Sequence, residues 1–255
     1  MKSHIVLLFS LFWCFSTGAQ TQLNSKGSAA ELTGNLYILS VFATEEGSTW
    51  EQSSKETLAS AQYEAEEWLK TQAAAYDVNL NVRAGSFGLD SDLTLASLEL
   101  FPEGRKRQDW IPTLLQKIGY LDTEEFHGFV SDIYKADNVL VLVYLNSAGT
   151  GYPIIYSTDN TDSFVEGAII CRYYAETEAT RPVTIAQEML RTFDAKDLFS
   201  GSTADPAQAS LASKLYPDDV MVKFSSDIKE TEIGAFTAYK IGWLADLPKG
   251  ASSLK

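Results

Sequence analysis

The sequence predicts an α/β (α+β) domain built on a mixed β-sheet, and three observations carry that prediction. Short apolar runs of strand length alternate with longer amphipathic stretches, in the order strand, helix, strand, two helices, three strands, helix. One run, Val139–Leu145 (VLVLVYL), is apolar at both parities, the mark of a central strand covered on both faces. With 45% hydrophobic residues in a 255-residue chain, one large domain can bury enough surface to fold.

Taken in order, Leu36–Phe42 (LYILSVF) is β-branched and aromatic and reads as a buried strand. Trp50–Tyr76 has no glycine or proline, and Trp50, Leu58, Ala61, Ala65, Trp68 and Leu69 recur at helical spacing, so a long helix is predicted. A second strand covers Val78–Arg83. Asp109–Ile118 reads as a helix that tolerates Pro112 only in its first turn, and Thr123–Lys135 as another. After Val139–Leu145, the small residues Ala148–Gly151 make a turn. Tyr152–Ser157 reads as a short exposed edge strand and Gly167–Tyr174 as a further strand. Thr184–Phe199 is a helix running into a loop. A polar connection over Ser200–Pro206, a short helix ending at Leu215 and a last helix over Gly234–Leu244 complete the chain.

The opening residues MKSHIVLLFSLFWCFSTGAQ combine one lysine, an apolar run from Ile5 to Phe15 and small residues ending at Ala19, the pattern of an export signal over residues 1–19. That run is shorter than the roughly 20 residues a bilayer span needs, so no membrane anchor is expected. The protein is predicted to be exported, periplasmic or extracellular. Residues 20–34 read as a polar tether, 35–248 as the domain and 249–255 as a flexible tail. Beyond the signal only Cys171 remains, so the domain holds no internal disulfide. Acidic residues outnumber basic ones 34 to 20, which excludes nucleic acid and anionic membrane surfaces as partners. The basic cluster Arg105-Lys106-Arg107 is flanked by acids and reads as a solvated loop or helix start.

The helix at Thr184–Phe199 poses the functional question. Two histidines at i and i+4 share a helix face and can reach one metal, with an intervening glutamate to polarise its water. Gln187–Phe199 (QEMLRTFDAKDLF) resembles the metal-binding helix of zincin-type metallopeptidases, in particular secreted bacterial members with a methionine turn, whose motif runs H-E-x-x-H-x-x-G-A-x-D-L-Y. Tyr216–Met221 (YPDDVM) resembles their methionine turn, and Gly234–Trp243 their closing helix. The resemblance implies a zincin-like mixed sheet with a long N-terminal helix, a degenerate active-site helix and a mainly helical C-terminal subdomain. It places Gln187 and Arg191 where the histidine ligands belong and Asp194 where the turn glycine belongs. Glu188 and Asp197 hold the general-base and third-ligand positions, and Met221 the methionine. His127 is the single histidine beyond the signal, so no shifted register rebuilds a two-histidine site.

Two carboxylates left without a dication would be uncompensated, and Arg191, three residues from Glu188, can supply the missing cation. The expectation is therefore an Arg191-centred ion-pair cluster with Glu188 and Asp197, no catalytic residue, no metal and no cofactor. The implied function is that of an inactive metallopeptidase-like protein that binds a peptide or protein partner. Tyr152, Ile154, Ile155 and Tyr156 would form the strand-adding edge. Two rivals stand beside it. A hydrolase could use Glu188, Asp194 and Asp197 as paired acids. A structural subunit of a cell-envelope complex would show a large apolar patch away from the cleft. Asp194, Asp197 and Asp205 also form a weak calcium candidate. His127 reads as a half-buried surface residue, Gly149–Gly151 as a turn and Cys171 as an inert buried thiol.

Overall fold

The computed structural model describes residues 27–43, 49–90, 110–155, 164–175, 178–202 and 204–255. The export signal, residues 20–26 of the tether, Arg105-Lys106-Arg107 and Tyr156 lie outside them.

A mixed six-stranded sheet forms the centre, from β1 (Gly34–Ala43), β2 (Leu80–Phe87), β3 (Asn138–Ala148), β4 (Tyr152–Ile154), β5 (Glu166–Ala175) and β6 (Glu178–Ala179). The order is β2-β1-β3-β5-β4, with β6 also pairing β5. The first four strands of that order run parallel, and β4 and β6 are antiparallel to β5. The helices are α1 (Gln52–Ala75), α2 (Trp110–Lys117), α3 (Thr123–Tyr134), α4 (Pro182–Thr192), α5 (Pro206–Leu215) and α6 (Ala235–Lys240).

Strand alternation sorts the core into two layers. Leu36, Ile38, Phe42, Leu140, Leu142 and Tyr144 face one side, where α1 and α4 pack with Val220, Met221 and Ile241. Leu39, Val41, Val139, Val141, Val143 and Leu145 face the other, against Trp110, Leu114 and Leu115 of α2 and Phe126 and Val130 of α3. Central β1 and β3 are thus apolar at both parities because helices cover both faces. A polar chain interrupts the α1 side: Gln62 Oε1 accepts from Ser40 Oγ at 2.6 Å and Tyr144 Oη at 2.8 Å, and its Nε2 donates to Glu66 at 2.7 Å. Each of those groups therefore enters the core with a partner.

Four segments differ from what periodicity predicts. Residues 27–33, read as tether, are docked: Ser28 Oγ donates to the Val139 carbonyl, Ala29 N–H to Glu166, and Leu32 is fully buried. Residues 249–255, read as tail, close in a 3-10 turn over Ser252–Leu254 whose Leu254 is fully buried against Val222 and Phe236. The last helix stops at Lys240, because Gly242 takes φ 88 and breaks the helical path. Finally, β4 is not an exposed ribbon. Ile154 is buried in the α2/α3 layer, and the Tyr152 ring packs edge-on against Trp110 at 5.8 Å.

Among the described residues no helix is long and apolar enough to cross a membrane.

Candidate functional site

Helix α4 opens with Pro182 in its first turn, where the missing N–H has no helical partner to lose. Val183, Ile185, Ala186, Met189 and Leu190 bury one face against α1 and the sheet. Gln187, Glu188 and Arg191 fall on the side that meets β4, and they line a cleft of about 990 Å³. Its far walls are Gly149–Pro153 and Ile155 on one side and Phe199 and Phe224 on the other.

The helix ends in a Schellman turn. Ala195 N–H reaches the Leu190 carbonyl at 3.1 Å and Asp194 N–H the Arg191 carbonyl at 3.1 Å, with Asp194 itself at φ 71. That left-handed position is the one a glycine would take most easily, and aspartate is among the few other residues that tolerate it. The turn sends the chain back under the helix and brings Asp197 to Arg191. The Arg191 Nε donates to Asp197 Oδ1 at 2.9 Å, and Nη2 lies 2.7 Å from the same oxygen. Its Nη1 pairs with Glu188 Oε1. One guanidinium therefore joins both carboxylates, the geometry the i,i+3 spacing predicts.

Glu188 is 1% exposed. Gly151 lies directly over it: a Cβ there would stand 2.7 Å from Glu188 Oε1 and 2.9 Å from the Ile169 carbonyl. Glycine is therefore required for β4 to approach this closely. Burial pushes the Glu188 carboxyl up from 4.5 to about 7, although Arg191 beside it pulls the other way, because the charge of Asp197 adds to the rise. Glu188 Oε2 has no hydrogen-bond partner among the described residues.

The remaining predicted residues go elsewhere. Gln187 turns its amide to the Val220 carbonyl at 2.7 Å, tying α4 to the turn beneath it. Met221 is fully buried in that turn, and its carbonyl accepts from Leu198 N–H at 2.8 Å. Asp194 is 73% exposed and pairs with Lys240 rather than joining the cluster. Asp205 caps α5 by accepting from Ala207 N–H at 2.8 Å. The three aspartates of the calcium candidate are thus each engaged separately, and among the described residues no group of three His, Cys, Asp or Glu side chains is placed to hold a metal ion. The zinc site that the resemblance implies does not fit these residues. Gln187 points away to a backbone carbonyl, and a cation occupies the space between the carboxylates. Of the predicted peptide edge, Tyr152 and Ile155 line the cleft while the Ile154 side chain belongs to the core.

Residue spacing gave no notice of two groups. Asp219 is buried and accepts from Met221 N–H at 2.7 Å, Gly234 N–H at 3.1 Å and Thr237 Oγ1 at 2.7 Å, fixing the methionine turn to α6. Burial still raises its carboxyl from 3.8 to about 6. Its sequence signal is an aspartate two residues before an amide it can cap, an Asx turn. Gly151 is the other, since its contact with Glu188 joins distant parts of the chain. His127 is half-buried with its ring edge-on to Phe164 at 5.0 Å, and burial lowers its pKa. Cys171 is buried, forms no disulfide among the described residues, and its Sγ accepts from Ser147 Oγ at 3.9 Å.

The fold and site thus define a mixed α/β domain whose cleft is floored by an arginine shared between two acids. The chain matches no family model and no curated protein. Among solved structures similar to it is wild-type OgpA from Akkermansia muciniphila, at 9% identity and a TM-score of 0.40. The overlap covers 86% of this chain and 63% of that one, so the chain spans less than two thirds of OgpA. A likeness that loose decides neither fold nor activity.

Proposed function

We propose that the protein is an exported, catalytically inactive, metallopeptidase-like protein that binds a peptide or protein segment in the cleft between β4 and α4. The observation that carries this reading is the Arg191 guanidinium held between Glu188 and Asp197. A fixed organic cation there offers no open coordination position to water or substrate, so the bond-polarising step of a metal hydrolase has no agent. Glu188, capped by Gly151 and 1% exposed, is also withdrawn from a paired-acid mechanism, which needs both carboxyls facing the substrate. Binding survives those losses. β4 ends the sheet order among the described residues, and an extended segment can add to such an edge through main-chain hydrogen bonds alone.

Elemental analysis of purified protein together with a peptide-hydrolysis assay tests the reading. The expected result is sub-stoichiometric transition metal and no turnover that Glu188→Ala abolishes. One tightly held zinc per chain, or hydrolysis lost in that variant, would sink it.

A second reading, a structural subunit of an envelope complex, has one observation in its favour. Phe129 and Ile133, one turn apart on α3, are both exposed on the sheet face opposite the cleft. Co-purification that responds to Phe129 and Ile133 substitutions and ignores the cleft would favour it.

A further inference from the structure

Every carboxylate that lines the cleft is already engaged. Glu178 pairs with Arg181, Asp194 with Lys240, and Glu188 and Asp197 share Arg191. Among the described residues Glu188 Oε2 is the one buried carboxylate oxygen without a hydrogen-bond partner, and it is sealed from solvent. Among the lining cations the balance differs. Lys196 is half-buried, lines the cleft, and has no ion-pair partner among the described residues. A basic ligand would thus meet acids that each already hold a cation, whereas an acidic one would meet an ammonium with no ion-pair partner among the described residues.

The same cleft is also lined by exposed apolar side chains. Phe224 is 67% exposed and stands edge-on to Phe199 at 5.0 Å, and Ile155 is 50% exposed on the β4 side. Large exposed rings in a concave wall gain most from a partner that brings its own apolar side chain. The whole chain carries a net charge of −14, which repels a polyacidic tract at long range. At physiological salt that repulsion is screened within about 8 Å, while a direct contact with Lys196 is not. One acid beside one large apolar group satisfies both conditions, and a run of acids does not.

We infer that the cleft selects an extended segment presenting a single acidic side chain next to a large apolar one, with Lys196 reading the acid and Phe224 and Ile155 covering the apolar group. This rests on the peptide-binding function proposed above and narrows its ligand class.

The test uses the full chain, immobilised, and two randomised hexapeptide pools that differ only at one fixed pair, Phe-Asp in one and Phe-Lys in the other. Captured peptides are quantified by mass spectrometry at physiological salt. The acidic pool is expected to be enriched about fivefold over the basic one, the scale of one partly screened ion pair. Lys196→Glu should reverse the order. Equal capture of the two pools, or a preference that persists in Lys196→Glu, overturns the charge selection and leaves cleft binding standing. Capture of neither pool above an Ile155→Asp/Phe224→Asp control overturns both readings.

Discussion

Glu188 and Asp219 are buried to the same degree, each 1% exposed, yet their surroundings treat them in opposite ways. Asp219 receives three neutral donors, two backbone amides and a threonine hydroxyl, and no cation among the described residues. Glu188 receives a cation that it must share with Asp197, and one of its oxygens receives nothing. Both carboxyls titrate high, Glu188 at about 7 and Asp219 at about 6, because burial outweighs the help each gets. The difference teaches what each is for. Three directed hydrogen bonds fix a turn in place, whereas a shared guanidinium leaves Glu188 with one oxygen unpartnered among the described residues.

Removing the shared cation should break the comparison most sharply. Arg191→Ala leaves two acids uncompensated, and at pH 8 it is expected to lower unfolding free energy by about 3–5 kcal/mol in urea titrations. A change under about 1 kcal/mol would mean the cluster contributes nothing to the fold. Asp219→Ala strands three donors and should cost about 2–4 kcal/mol, with no recovery at low pH since no charge is left to neutralise.

Acidity separates the two carboxyls without a large structural change. Each has a folded pKa above its ordinary value, so the folded state holds the proton more tightly. The associated stability is complete below the unfolded pKa and is lost as pH rises through the folded one. For Asp219 that loss runs from about 3.8 to about 6, and for Glu188 from 4.5 to about 7. Between pH 6 and 7 Asp219 has finished titrating, and His127, whose pKa burial lowers, contributes with the opposite sign. The Glu188 part is therefore read as a difference: across that unit wild type should lose on the order of 1 kcal/mol relative to Glu188→Gln, measured by melting temperature. A slope unchanged in that variant would contradict the assignment.

Smaller effects probe the cover and the opposite face. Gly151→Ala sets a methyl against Glu188 and the Ile169 carbonyl, and is expected to cost about 1–2 kcal/mol by thermal unfolding. Phe129→Ser on exposed α3 should change stability by less than about 0.5 kcal/mol, so any loss of partner association there reports an interface.

Much of the fold was legible because its signals are local. The Val139–Leu145 run announces a doubly covered strand, and β3 is one; the uninterrupted helical spacing of Trp50–Tyr76 is α1. The Arg191–Glu188 pair was legible for the same reason, being one helical turn apart, and Asp197 follows across a short loop. What stayed hidden depends on single residues meeting distant ones. Leu32 and Leu254 dock segments that carry no periodic pattern, Asp219 finds Gly234 and Thr237 further along the chain, and Gly151 seals Glu188 from the turn before β4. Ile154 was misjudged because a three-residue strand is too short for alternation to show which side faces inward.

Asp194 completes the loop after α4 in a left-handed conformation supported by two backbone hydrogen bonds, and Arg191 then closes it from within the chain. The positive charge that closes this loop is supplied by the chain itself. A chelator added during refolding is therefore expected to leave both yield and rate untouched, which a refolding series with and without the chelator measures.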